Sequence, residues 1–70
     1  MRRFEFIGGN SAKFWEVDCR DNTVTVRYGR LGTDGQSQTK DLETAARARQ
    51  HADKLIAQKL AKGYTECVSV

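Results

Sequence analysis

The sequence contains no proline, one histidine and only two cysteines. It has no internal repeat and no low-complexity segment, which excludes proline-rich linkers and repeat architectures. Zinc sites need more ligands at closer spacing than Cys19, Cys67 and His51 provide, so no metal site is expected. Small disulfide scaffolds carry more cysteines, so two free thiols in or beside the core are the expectation. The longest apolar runs are a few residues, too short for a transmembrane helix. The start, MRRFEFIGG, alternates charge with aromatics and lacks the apolar stretch of a signal peptide. A cytoplasmic protein without cofactor, away from membranes, is therefore expected.

What is present describes a single small domain over residues 1–70. Hydrophobic residues make up 39% and charged residues 30%, the balance of a globular chain. A chain this short buries a modest core and is marginally stable. The net charge of +3 is compatible with a polyanionic partner, but acids and bases are interspersed.

Residues 2–7 alternate, with Phe4 and Phe6 on one face and Arg3 and Glu5 on the other, as in a half-buried strand. A turn at Gly8, Gly9, Asn10 and Ser11 leads to a second strand over 12–20. There Trp15, Val17 and Cys19 point one way and Phe14, Glu16 and Asp18 the other. Trp15 is read as core, with a ligand-stacking platform as the alternative. Asp21 and Asn22 suit a tight hairpin, so residues 23–28 return antiparallel. Val24, Val26 and Tyr28 share a face, and Tyr28 either completes the core or ends the strand with its ring exposed. Residues 35–42 read as a polar strand, either simply solvated or presenting a ligand-facing surface continuous with Arg27 and Arg30.

The period then changes. Ala45, Ala48, Ala52, Leu55, Ile56 and Leu60 recur at three and four residues, the apolar face of a helix. Arg47, Arg49, Gln50, Asp53, Lys54 and Gln58 fall largely off that face, and His51 reads as a solvated surface residue. Thr44 is the natural N-cap, Gly63 fits the left-handed residue that ends the helix, and Tyr64 packs back near Leu60. Lys59 and Lys62 suit the negative end of the helix dipole. Residues 65–70 add a short edge strand or fray. The expected fold is α+β: an antiparallel sheet of about four strands packed against one long helix.

The chain is organised around residues 23–38, TVTVRYGRLGTDGQSQ, where Gly29, Gly32 and Gly35 follow at intervals of three. This loop lacks the spacing and lysine of a phosphate-binding fingerprint, and it joins two strands. No nucleophile stands beside a base, and catalysis is not expected. Binding is better supported. Glycine turns expose backbone N–H groups, an adjacent arginine can grip a phosphate, and an aromatic ring can stack on a base or sugar. Tyr28, Gly29 and Arg30 supply all three. In the alternative, the turn is purely structural: Tyr28 plugs the core end and Arg30 pairs with an acid such as Asp34.

Nearly the whole chain resembles a WGR domain. The likeness is carried by K-F-W-E-V at 13–17, T-V-R-Y-G-R-L-G-T-D-G-Q at 25–36 and A-D-K-L-I-A-Q-K-L at 52–60, followed by K-G-Y-T-E. Tyr28 stands where the motif has tryptophan. The resemblance implies a small antiparallel sheet with one helix, similar to bacterial WGR modules that occur alone or attached to larger proteins. In DNA-dependent poly(ADP-ribose) polymerases the domain helps bind DNA breaks. There the tryptophan packs against a sugar near a strand end, and the arginine couples binding to neighbouring domains. Those roles would fall on Tyr28 and Arg30. The expectation is a non-catalytic module that binds DNA ends or backbone with low sequence specificity. Phosphates would meet Arg30, Arg27 and Lys40, a sugar or base would meet Tyr28 beside Gly29, and Gln36 or Gln38 would add polar contacts. A protein-interaction module is the alternative.

Overall fold

The computed structural model describes residues 1–67. Strands β1 (Arg2–Gly8), β2 (Ser11–Arg20), β3 (Thr23–Arg30) and β4 (Gln36–Asp41) precede helix α1 (Ala45–Ala61) and strand β5 (Thr65–Cys67). They form one five-stranded antiparallel sheet in the order β4-β3-β2-β1-β5. The expected sheet of about four strands gains β5, the edge-strand option for the tail. The rest of that tail, 68–70, lies outside the described residues.

The register sets the two faces. Phe4 pairs with Trp15, Val17 with Val26 and Cys19 with Val24, so alternate positions converge under the helix. The two residues between Arg20 and Thr23 close the β2–β3 hairpin, with Asp21 at φ 52°. Asn22 then ties the end of β4: its Nδ2 donates to the Leu42 carbonyl and its own carbonyl accepts from Leu42 N–H.

Helix α1 starts as its sequence dictates, with Thr44 Oγ1 accepting from the Arg47 N–H at 3.1 Å. Ala48, Ala52 and Ile56 are buried against β2 and β3, and small side chains let the backbone come close. Phe4, Trp15, Val17 and Val24 complete the core, and the 3% exposure of Trp15 makes it core, not a platform. Ala45 is exposed and Leu60 is 50% exposed, so the apolar row is shorter than its periodicity implied. Over the last turn the sheet is met by Lys59 and Tyr64 instead.

The helix exit explains that exchange. Gly63 has φ 100°, the Tyr64 N–H donates to the Lys59 carbonyl, and the Gly63 N–H donates to the Leu60 carbonyl. This is a Schellman turn. It sends Tyr64 back over Phe6, ring centroids 5.6 Å apart.

Both cysteines are free. Cys19 lies on the helix face of β2, while Cys67 pairs with Arg3 on the opposite face of the sheet.

Candidate nucleic-acid interface

The face of the sheet away from the helix holds an aromatic ring flanked by arginines. Phe14 is only 2% exposed there, although half of a two-layer sheet normally faces water. The guanidinium carbons of Arg3 and Arg27 sit 4.7 and 5.2 Å from its ring centroid. Glu16, 9% exposed, lies between the two arginines and accepts from Arg3 Nη1 at 2.7 Å and Arg27 Nε at 2.8 Å. Chiefly through the Arg27 hydrogen bond, with the Arg3 hydrogen bond adding to it against the cost of burial, the Glu16 carboxyl is held below its ordinary range.

The glycine loop closes over the same ring. A Cβ on Gly35 would collide with the Tyr28 carbonyl and come within 2.7 Å of the Phe14 ring; one on Gly29 would lie 2.8 Å from Gly35 Cα. The spacing of Gly29 and Gly35 therefore serves the close approach of two backbone segments. The Leu31 N–H donates to the Ala12 carbonyl and the Thr33 N–H to the Arg30 carbonyl, so these amides are spent inside the molecule. Arg27 Nη1 donates to the Asp34 carbonyl at 3.2 Å and braces the loop. The expected surface running from β4 into Arg27 is not formed. Arg27 pairs with Ser37 on the far face, whereas Gln36, Gln38 and Lys40 pair with Tyr28, Val26 and Val24 on the helix face.

The helix-face end of β2 and β3 is built differently. Lys13 stands directly opposite Arg30, and Trp15 opposite Tyr28. Like charges facing across a ladder are destabilising unless something neutralises them. Lys13, Tyr28, Arg30, Lys59 and Tyr64 surround a shallow cavity of about 260 Å³. Lys59 Nζ lies 5.6 Å from the Trp15 ring centroid and 5.3 Å from that of Tyr64. Burial first, then the nearby Lys62 and Lys13, pushes the Lys59 amine below its ordinary value. Among the described residues, none of Lys13, Arg30, Lys59 and Lys62 enters an ion pair; all the paired acids go to other arginines. The Arg30–Asp34 pair of the purely structural reading is thus not formed. The helix dipole offers only about half a negative charge here, too little for four cations.

Tyr28 is half-buried against the core and lines this cavity, so its body packs while part of its ring faces outward. Its hydroxyl accepts from Gln38 Nε2 at 3.3 Å. Arg30 is exposed at the cavity rim. Gln36, Gln38 and Lys40 are exposed on β4. Between β4 and α1 a second cleft of about 360 Å³ opens, which Tyr28 and Lys59 also line. His51, expected as a solvated surface residue, is half-buried in its wall.

Lys13, Lys59 and Tyr64 were not among the expected contacts. The signal was present for two of them: Lys13 has the parity of Trp15, and Lys59 continues the 48–52–55 spacing of the apolar row. Tyr64 is placed by the Schellman turn.

Among the described residues no group of three or more His, Cys, Asp or Glu could hold a metal ion, and no helix is long and apolar enough to cross a membrane. The architecture is that of a small α+β module. The WGR domain matches residues 1–69, and the chain belongs to that family. WGR domains are modules of the nucleic-acid-binding type in proteins resembling poly(ADP-ribose) polymerases. Two Escherichia coli K12 proteins are similar: YehF, 42% identical over 94% of this chain, and the uncharacterized YfeS, 38% identical over 93%. The chain spans about a quarter of their lengths, 24% and 27%. A crystal structure of a Bacteroides fragilis protein superposes with a TM-score of 0.93 at 49% identity. It covers 96% of this chain and 19% of that one.

Proposed function

We propose that this chain is a non-catalytic nucleic-acid-binding module that recognises DNA ends or backbone with little sequence specificity. One observation carries the reading: Lys13, Arg30 and Lys59 gather around Tyr28 and Tyr64, with Lys62 close to Lys59, and none of the four is in an ion pair with a carboxylate among the described residues. A phosphate on Lys13, Arg30 and Lys59 relieves their mutual repulsion, and Tyr28 offers an aromatic edge to the adjoining sugar. Ammonium and guanidinium groups suit phosphate oxygens and carry no base code, hence the weak specificity. Gln36, Gln38 and Lys40 extend the contact along β4. Gly29 lets the loop close, and Arg27 acts by bracing it through Asp34.

The test is a titration of labelled short duplexes, blunt, nicked and 5′-phosphorylated, at low and moderate salt. Wild type, Arg30→Ala and Tyr28→Leu are compared. Expected are preference for ends, affinity that falls steeply with salt and with Arg30→Ala, and loss of end preference in Tyr28→Leu. Binding that ignores salt and Arg30 overturns the reading.

A second reading, a protein-interaction module, draws on β4: it is an edge strand, and all six of its residues are exposed. Such an edge can accept a partner strand through backbone hydrogen bonds. Protein capture that survives high salt and Arg30→Ala favours it.

A further inference from the structure

The cleft between α1 and β4 is not needed to hold a phosphate, yet it adjoins the cation cluster. We propose that it takes one unpaired nucleobase, that of a strand-terminal nucleotide whose phosphate lies on Lys13, Arg30 and Lys59. The proposal rests on the nucleic-acid reading and extends it from phosphate and sugar to the base.

The cleft exists because of what β4 carries. Helix α1 packs on β2 and β3. The helix-side positions of β4 are Gln36, Gln38 and Lys40, which give the helix nothing apolar to close upon. The gap of about 360 Å³ falls at the low end of small-molecule sites, about 300–1,000 Å³, and suits a single planar heterocycle.

Its lining suits a base in three respects. Val26, Tyr28 and Leu55 provide an apolar surface against which a ring can lie. Gln38 and Gln58 face it from opposite walls, one on the strand and one on the helix. Each carboxamide carries donors and an acceptor, the two group types that a base edge presents. Gln38 uses one N–H on Tyr28 Oη and keeps its carbonyl and its other N–H. Charge agrees: Lys40 and Lys59 line the cleft and no carboxylate does.

Continuity decides between a base and an unrelated occupant. Tyr28 and Lys59 border both cavities, so phosphate, sugar and base of one nucleotide map onto the cations, Tyr28 and the cleft in that order. A paired base cannot enter, because its edge is already used and its faces are stacked. The site therefore distinguishes a frayed or extended end from a blunt one.

The experiment uses the whole chain and three 5′-phosphorylated duplexes followed by fluorescence anisotropy. One is blunt, one carries a single unpaired thymine nucleotide at the phosphorylated end, and one carries an abasic nucleotide there. The thymine extension should bind about tenfold more tightly than the abasic one. The double variant Gln38→Ala/Gln58→Ala alters two exposed side chains and should keep the fold. It should shrink that ratio to about threefold or less; any loss of the Gln38 contact along β4 weakens both extended duplexes alike and cancels in the ratio. Equal binding of the thymine and abasic extensions, with both still weakened by Arg30→Ala, overturns the base site and leaves the end-binding reading standing. A tenfold ratio that persists in the double variant overturns it as well, since the base is then read elsewhere. Failure to bind any of the three duplexes overturns both.

Discussion

The two faces of the sheet carry similar side chains to opposite effect. On the far face Phe14 lies between Arg3 and Arg27, and on the helix face Tyr28 and Tyr64 adjoin Lys13, Arg30 and Lys59. The difference is two carboxylates, Glu16 and Glu5, the latter accepting from Arg3 Nε at 3.0 Å. Glu16 accepts from both arginines of the first cluster, while none of the cations of the second has an acidic partner among the described residues. The first assembly is a closed structural unit, already neutralised, that locks the glycine loop. The second is open electrostatically as well as sterically. A cation next to an aromatic ring indicates a binding surface only after its counter-charge has been sought.

The sharpest way to break this comparison is to open the closed side. Gly35→Ala places a Cβ against the Tyr28 carbonyl and the Phe14 ring at φ 70°. Left-handed backbone and overpacking together should cost about 3 kcal/mol, much of the stability of so small a domain, read by urea denaturation. Glu16→Gln comes next, at about 2 kcal/mol, because both arginines are partly exposed and water softens the loss. It should also change the acid limb. The folded carboxyl titrates below its unfolded value, so its stabilisation is complete above the ordinary carboxylate range and is lost as pH falls through the folded pKa. Wild type should therefore lose stability on acidification more steeply than Glu16→Gln; parallel curves would mean that the network is electrostatically idle.

The open side should respond in binding and not in stability. Arg30→Ala and Lys59→Ala should each lower affinity for a phosphorylated duplex about tenfold and reduce the salt slope by about one. Arg27→Gln should leave that slope unchanged. If Arg27→Gln matches Arg30→Ala, the distinction between the faces fails. Lys40→Ala, removing a lone exposed charge, should have the smallest effect, about threefold or less.

Much of the fold was legible because it is encoded locally. Alternation set the strand faces, Asp21–Asn22 set a hairpin, and Thr44 and Gly63 bounded the helix. The site was less so. Tyr28 and Arg30 stood out by motif, and the register does place them on one face. Arg27 was also close in sequence, but one residue along a strand is the opposite side of the sheet. Leu60 fits the helical period, yet the final turn presents Lys59 to Trp15 instead.

The sequence by itself thus determined the elements, their order, the α+β class and family membership, since propensity, period and motif act over a few residues or along a contiguous pattern. Only the tertiary structure decided which charges are satisfied. Glu16 meets Arg3 and Arg27 because strand register brings three separate strands together, and Lys13 and Lys59 gather at Tyr28 because the helix exit folds back over β1 and β2. Pairing between charges is a property of distance in space, and distance along the chain does not encode it.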